Sequence, residues 1–89
     1  MTKTLGYEEI INKVAGYFKE CMEEGGFDTF EEMKDCYWWD TKDIKEEVKA
    51  VISDYDWCLT DDETEISPIL GDEYYSYRSF IAKVYKAIK

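Results

Sequence analysis

In the stretch TLGYEEIINKVAGYFKECMEEGG, apolar residues recur at the three-and-four spacing of one helical face: Tyr7, Ile10, Ile11, Val14, Phe18, Cys21 and Met22. Gly25 and Gly26 then supply the left-handed backbone that stops a helix, so the spacing predicts a helix from about Leu5 to Glu24. A stripe this long has to be buried against something, and the rest of the chain offers three further candidates. FDTFEE carries a start signal, with Asp28 or Thr29 as cap and Glu31 or Glu32 as reciprocal partner. Phe30, Met33 and Tyr37 follow, predicting a short helix from Thr29 to Tyr37. Asp40 caps a third helix whose face is Ile44, Val48, Val51, Ile52 and Tyr55, with Trp39 placed to pack on Ile44 as a hydrophobic staple.

From Trp57 to Gly71 the helical period fails. Pro68 forbids a helix interior, and Gly71–Asp72 reads as a turn. A brief hairpin with strands near Tyr55–Leu59 and Thr64–Ile69 fits there, as does an irregular acidic loop. Asp72 is the expected cap of a last helix running to the terminus through Tyr74, Tyr77, Ile81, Val84, Tyr85 and Ile88. Four amphipathic helices on short connections imply an all-α fold, a small four-helix bundle with the acidic loop, or a short hairpin, before the last helix. Residues 1–89 read as one helical domain.

Composition supports folding: 45% apolar and 17% aromatic residues stand beside 36% charged, and disorder needs low hydrophobicity as well as charge. Cys21, Cys36 and Cys58 are odd in number and form no CxxC pair, which favours free thiols in a reducing compartment. MTKTLGYEEI lacks the apolar run of a signal peptide, and no stretch approaches the ~20 apolar residues of a membrane span. The expectation is a soluble cytoplasmic protein, in the host cytoplasm if phage-encoded.

Charge is distributed unevenly along the chain. Residues 1–19 carry three bases and two acids, and residues 20–73 carry 19 acids and four bases. Residues 74–89 carry Arg78, Lys83, Lys86 and Lys89 with no acid, which brings the net charge to −10. Such a chain is repelled by phosphate backbones and anionic lipid, so direct nucleic-acid and membrane binding are excluded and a basic partner is favoured. Much of the charge suits its helix: Asp28, Glu31 and Glu32 start one, and Lys83, Lys86 and Lys89 end another. Glu20, Glu23 and Glu24 do not. They crowd a helix C-terminus where the dipole is already negative, and Asp54 and Asp56 do the same at the end of the third helix. Each costs roughly 0.3 to 1 kcal/mol where it stands.

Catalytic and metal chemistry find little footing. The segment DYDWCLTDDETE lays Asp54, Asp56, Thr60, Asp62 and Glu65 on positions one, three, seven, nine and twelve of a calcium-loop template. It fails at Cys58, a poor ligand for a hard cation, and at Leu59, where the sharp turn wants glycine. There is no histidine to activate a Ser or Cys nucleophile, and no GxGxxG or GxxxxGK run among the five glycines. No enzyme activity, cofactor or metal is expected.

The aromatic residues are more informative. Trp38 and Trp39 are neighbours pointing roughly 100° apart on a helical end, so both cannot enter one small core. Tyr75 lies off the expected stripe of the last helix, and rings beside acids make good binding anchors. Carboxylates on adjacent helical turns sit ~5 to 6 Å apart, comparable to neighbouring phosphates on a strand. In size, acidity and lack of catalytic groups the chain resembles the small phage and mobile-element proteins that block host defence, the anti-CRISPR and anti-restriction inhibitors of DNA-mimic type. That resemblance implies a non-enzymatic inhibitor that binds the positively charged nucleic-acid-binding surface of a CRISPR effector or restriction enzyme. The expected contacts are Glu20, Glu23, Glu24, Glu31, Asp35, Trp38, Asp54, Asp56, Asp61, Asp62, Glu63, Glu65 and Tyr75. GDEYYSY, with Tyr74 and Tyr75 beside Asp72 and Glu73, is similar to the tyrosine pair of the colicin DNase immunity proteins, although here it opens the last helix. That second resemblance implies neutralisation of a basic nuclease. An acidic scaffold or regulatory subunit is the third alternative.

Overall fold

The structure is a computed structural model that describes residues 5–71 and 73–88. Four helices are present: α1 (Tyr7–Gly25), α2 (Phe30–Tyr37), α3 (Thr41–Ser53) and α4 (Tyr77–Ile88). Between α3 and α4 the chain forms a three-stranded antiparallel sheet, β1 (Trp57–Leu59), β2 (Glu65–Pro68) and β3 (Tyr75–Ser76), in the order β1-β2-β3. The all-α expectation is therefore corrected to a mixed fold. The number of helices agrees, and of the two alternatives before the last helix the hairpin is present rather than the irregular loop, enlarged by a third strand.

Local chemistry accounts for the helix ends. Gly26 adopts the left-handed conformation (φ 71°), and the Phe27 amide donates back to the Met22 carbonyl at 2.9 Å, closing α1 as in a Schellman turn. Thr29 caps α2 by accepting from the Glu32 amide at 3.1 Å. Asp40 and Asp43 form a reciprocal capping box at the start of α3. The sequence had put α1 two residues early, at Leu5. The expected cap Asp72 lies outside the described residues.

Alternation is confined to β1; in β2 only Glu65 is exposed, and Ile66, Ser67 and Pro68 are all buried. Trp57 and Ile66 turn inward and are buried, while Cys58 and Glu65 face solvent. The β1–β2 register pairs Trp57 with Pro68 and Leu59 with Ile66. On the far side of β2, Ile66 pairs with Tyr75 and Glu65 with Ser76, and the Tyr77 amide extends the ladder to the Thr64 carbonyl at 2.9 Å. These bonds hold residues 75 and 76 extended, so α4 begins at Tyr77 instead of near Asp72. Its buried face shifts accordingly to Tyr77, Phe80, Val84 and Ile88, leaving Tyr74 exposed.

One core joins all the elements. Ile10, Val14 and Phe18 of α1 meet Met33 of α2, Val48 and Ile52 of α3, and Phe80 and Val84 of α4, all of them inaccessible to solvent. Trp57 closes the sheet end, where its indole Nε1 donates to the Leu5 carbonyl at 2.9 Å. Tyr75 stacks on Tyr7 with ring centroids 3.9 Å apart and planes within 9°.

Three substitutions separate the observed sheet from the helix expected there. Tyr75→Ala removes the stacked pair and lowers the melting temperature by several degrees, whereas Tyr74→Ala leaves it nearly unchanged; calorimetry on both variants checks this. Ile66→Ala, at a fully buried strand position, costs about 2 to 5 kcal/mol in urea unfolding.

Candidate functional site

α1 and α3 pack side by side, tied where the Tyr17 hydroxyl donates to Glu47 Oε2 at 2.9 Å. Along the seam runs a groove of about 460 Å³. Asn12, Lys13, Gly16, Tyr17 and Glu20 line it from α1; Ala50 and Val51 of α3, with Asp54 and Tyr55 just beyond its end, line it from the other side. The i, i+4 spacing of Asn12, Gly16 and Glu20 puts them on one row of α1. Gly16 is what keeps the wall low: a Cβ built there would meet nothing within 4 Å. Glycine inside a helix costs about 1 kcal/mol relative to alanine, and no close packing here requires it.

The groove collects two of the sequence-selected acids, Glu20 and Asp54, on one feature. Burial pushes the half-buried Cys21 thiol above its ordinary value, the Tyr17 hydrogen bond opposes this, and Glu24, Glu47 and Glu20 push it further up. Burial and the Glu47 carboxylate likewise hold the Tyr17 phenol protonated well past its usual range. Neither α1 nor α3 has a base in its last turn. Among the described residues, ion pairs engage only Glu31 (with Lys34, 3.5 Å), Glu46 and Glu63 (both with Lys49, 3.7 and 2.8 Å). Glu20, Glu23, Glu24 and Asp54 are exposed with no such partner.

Other selected acids have local structural work. In the β1–β2 turn, Asp62 accepts from the Thr60 hydroxyl at 2.8 Å and from the Thr64 amide and hydroxyl at 3.1 and 2.8 Å, which holds its carboxyl below the usual range. Glu63 sits in left-handed backbone (φ 60°) and answers Lys49. Asp56 is also left-handed (φ 63°), and its carbonyl accepts from the Ile69 amide at 2.8 Å. Leu59, at the glycine position of the calcium template, lies in β1. No three His, Cys, Asp or Glu side chains converge on a metal-sized site among the described residues. Asp61 and Glu65 are exposed at the turn and on β2, and Glu31 and Asp35 are exposed on α2, outside the groove lining.

The two aromatic candidates part company. Trp38 ends α2 in left-handed backbone (φ 60°) and is 88% exposed, while Trp39 turns inward against Phe18 and Tyr37. Tyr75 is half-buried on Tyr7 and Trp57, and its hydroxyl donates to Glu73 at 3.0 Å. The Tyr7 end and the Gly25 end of α1 are about 28 Å apart, and Tyr75 sits at the first, Trp38 beside Tyr37 and Phe27 at the second. Tyr74 is 59% exposed, so the adjacent tyrosines do not share a face. Sequence reasoning missed Lys13, Gly16, Tyr17, Ala50 and Tyr55. The signal for Gly16 was present: a glycine interrupting a strong helical pattern.

Comparison with protein-family models, curated proteins and solved structures found no match to this chain. No helix among the described residues is long and apolar enough to cross a membrane.

The local field and the dipole give two measurable consequences. Glu23→Lys, which places a base where α1 lacks one, stabilises the protein by about 0.3 to 1 kcal/mol in urea unfolding. Raised thiol pKa means less thiolate at a given pH, so iodoacetamide at pH 8 labels exposed Cys36 and Cys58 before Cys21. Glu24→Gln removes one carboxylate that opposes ionisation and speeds Cys21 labelling, read by peptide mass spectrometry.

Proposed function

We propose that this chain is a non-enzymatic inhibitor that occupies the positively charged nucleic-acid-binding surface of a partner protein, such as a CRISPR effector or restriction enzyme, by presenting carboxylates in place of phosphates. One observation carries the reading: Glu20, Glu23, Glu24 and Asp54 stand exposed without ion-pair partners among the described residues, and Glu23, Glu24 and Asp54 do so at helix C-termini, where the dipole disfavours them. Uncompensated acids on a packed body attract Lys- and Arg-lined grooves at long range and repel nucleic acid itself. Groups held on helices lose little freedom on binding, which favours a rigid charged surface over a flexible acidic tail. The inhibitor needs no catalytic group, since exclusion of the natural ligand is sufficient.

Plasmid interference in the native host tests this. Expression of the chain restores transformation by a plasmid that the host's own CRISPR or restriction systems otherwise eliminate, and the Glu20→Lys, Glu24→Lys, Asp54→Lys variant, folded by circular dichroism, loses most of that protection. Protection by the triple variant equal to that of the native chain, or protection against none of those systems, overturns the reading.

A further inference from the structure

We propose that the α1–α3 groove is a socket for one arginine side chain of the basic partner. The inference rests on the reading that the partner is basic, and it adds where and how a single residue of that partner is gripped. Charge alone would not define such a place; the shape of the groove does. Gly16 and Ala50 leave a low floor, and Tyr17, Val51 and Tyr55 offer apolar and aromatic surface along it. Glu20 and Asp54 set two carboxylates at the same cleft, each without an ion-pair partner among the described residues. A volume near 460 Å³ falls within the range of sites that take one small ligand.

The groove already shows that it accepts a cation on a ring. Lys13 places its ammonium over the Tyr55 ring, 5.8 Å from the centroid, without closing an ion pair to either carboxylate. Against that one base stand two acids, so the lining keeps a net negative charge. Arginine suits the remaining space better than lysine. Its planar guanidinium stacks on aromatic faces, its donor fork matches a carboxylate two bonds at a time, and it is less strongly hydrated than an ammonium. Its three-carbon stem lies on apolar surface while the head reaches the acids.

The probe is N-acetyl-arginine amide, titrated into ¹⁵N-labelled full chain and followed by amide chemical shifts, with N-acetyl-lysine amide as comparator. Saturable shifts confined to residues 12–20 and 50–55, with several-fold weaker binding of the lysine compound, are expected. Gly16→Leu keeps every charge but fills the floor, and weakens arginine binding by about tenfold or more. Ala50→Gln does the same from the opposite wall and serves should Gly16→Leu disturb the fold. Lys13→Ala, which removes the resident cation, tightens binding. Non-saturating shifts spread over the acids of all helices, or undiminished binding by both groove-filling variants, overturn the socket. The two readings fail separately. Plasmid protection by the native chain and equally by folded Gly16→Leu overturns the socket alone, whereas a saturable arginine site in a chain that protects no plasmid overturns the inhibitor reading alone.

Discussion

The buried indole of Trp57 is the contact on which the arrangement of sheet and helices depends. It is 1% exposed, its Nε1 is satisfied by the Leu5 carbonyl, and its ring lies within 6.4 Å of Tyr7 and 6.1 Å of Tyr75. One side chain thus joins β1 to the chain entering α1 and to β3, the strand that leads directly into α4. Burial of an aromatic this size contributes several kilocalories through desolvation and dispersion, and the indole N–H would be costly if left unpaired. With Trp57 seated, β2 has a partner on each side, and α4 is laid across α1 from the sheet end.

Stability and charge are arranged separately in this molecule. The inside is conventional: every helix contributes fully buried aliphatic or aromatic residues, and no buried side-chain polar atom lacks a partner among the described residues. The outside is not optimised for stability. Acids occupy helix C-termini, and α1 carries an unforced glycine in its interior. Local rules broken on the surface without gain to the core are the pattern expected where a surface is shaped for something else. Of the unpaired acids, Glu20 and Asp54 line the groove between α1 and α3, whereas Glu23 and Glu24 lie outside its lining.

Several acids read from the sequence as one anionic surface turn out to have distinct duties. Asp62 organises a turn through three hydrogen bonds, and Glu63, in left-handed backbone, makes a close Lys49 contact. Glu20 and Asp54 instead stand free on opposite walls of a cleft. The same residue types therefore divide into those that hold the fold and those without an ion-pair partner among the described residues. The division follows from which backbone groups lie near them.

By itself the sequence determined the four helices, the N-caps of α2 and α3 and most of the core, because apolar spacing and capping chemistry act within a few residues of each other. The Asp40–Asp43 box and the Gly26 stop were legible in this way. Tertiary structure alone decided that residues 75 and 76 are strand: Tyr75 and Ser76 are extended because Ile66 and Glu65, distant along the chain, lie beside them. It also decided that Trp39 is inside and Trp38 outside, since adjacent helical-end rings differ only in what each faces. The groove belongs to the same class. Gly16 and Ala50 are small residues on two separate helices, and only the packing of α1 on α3 turns them into one floor.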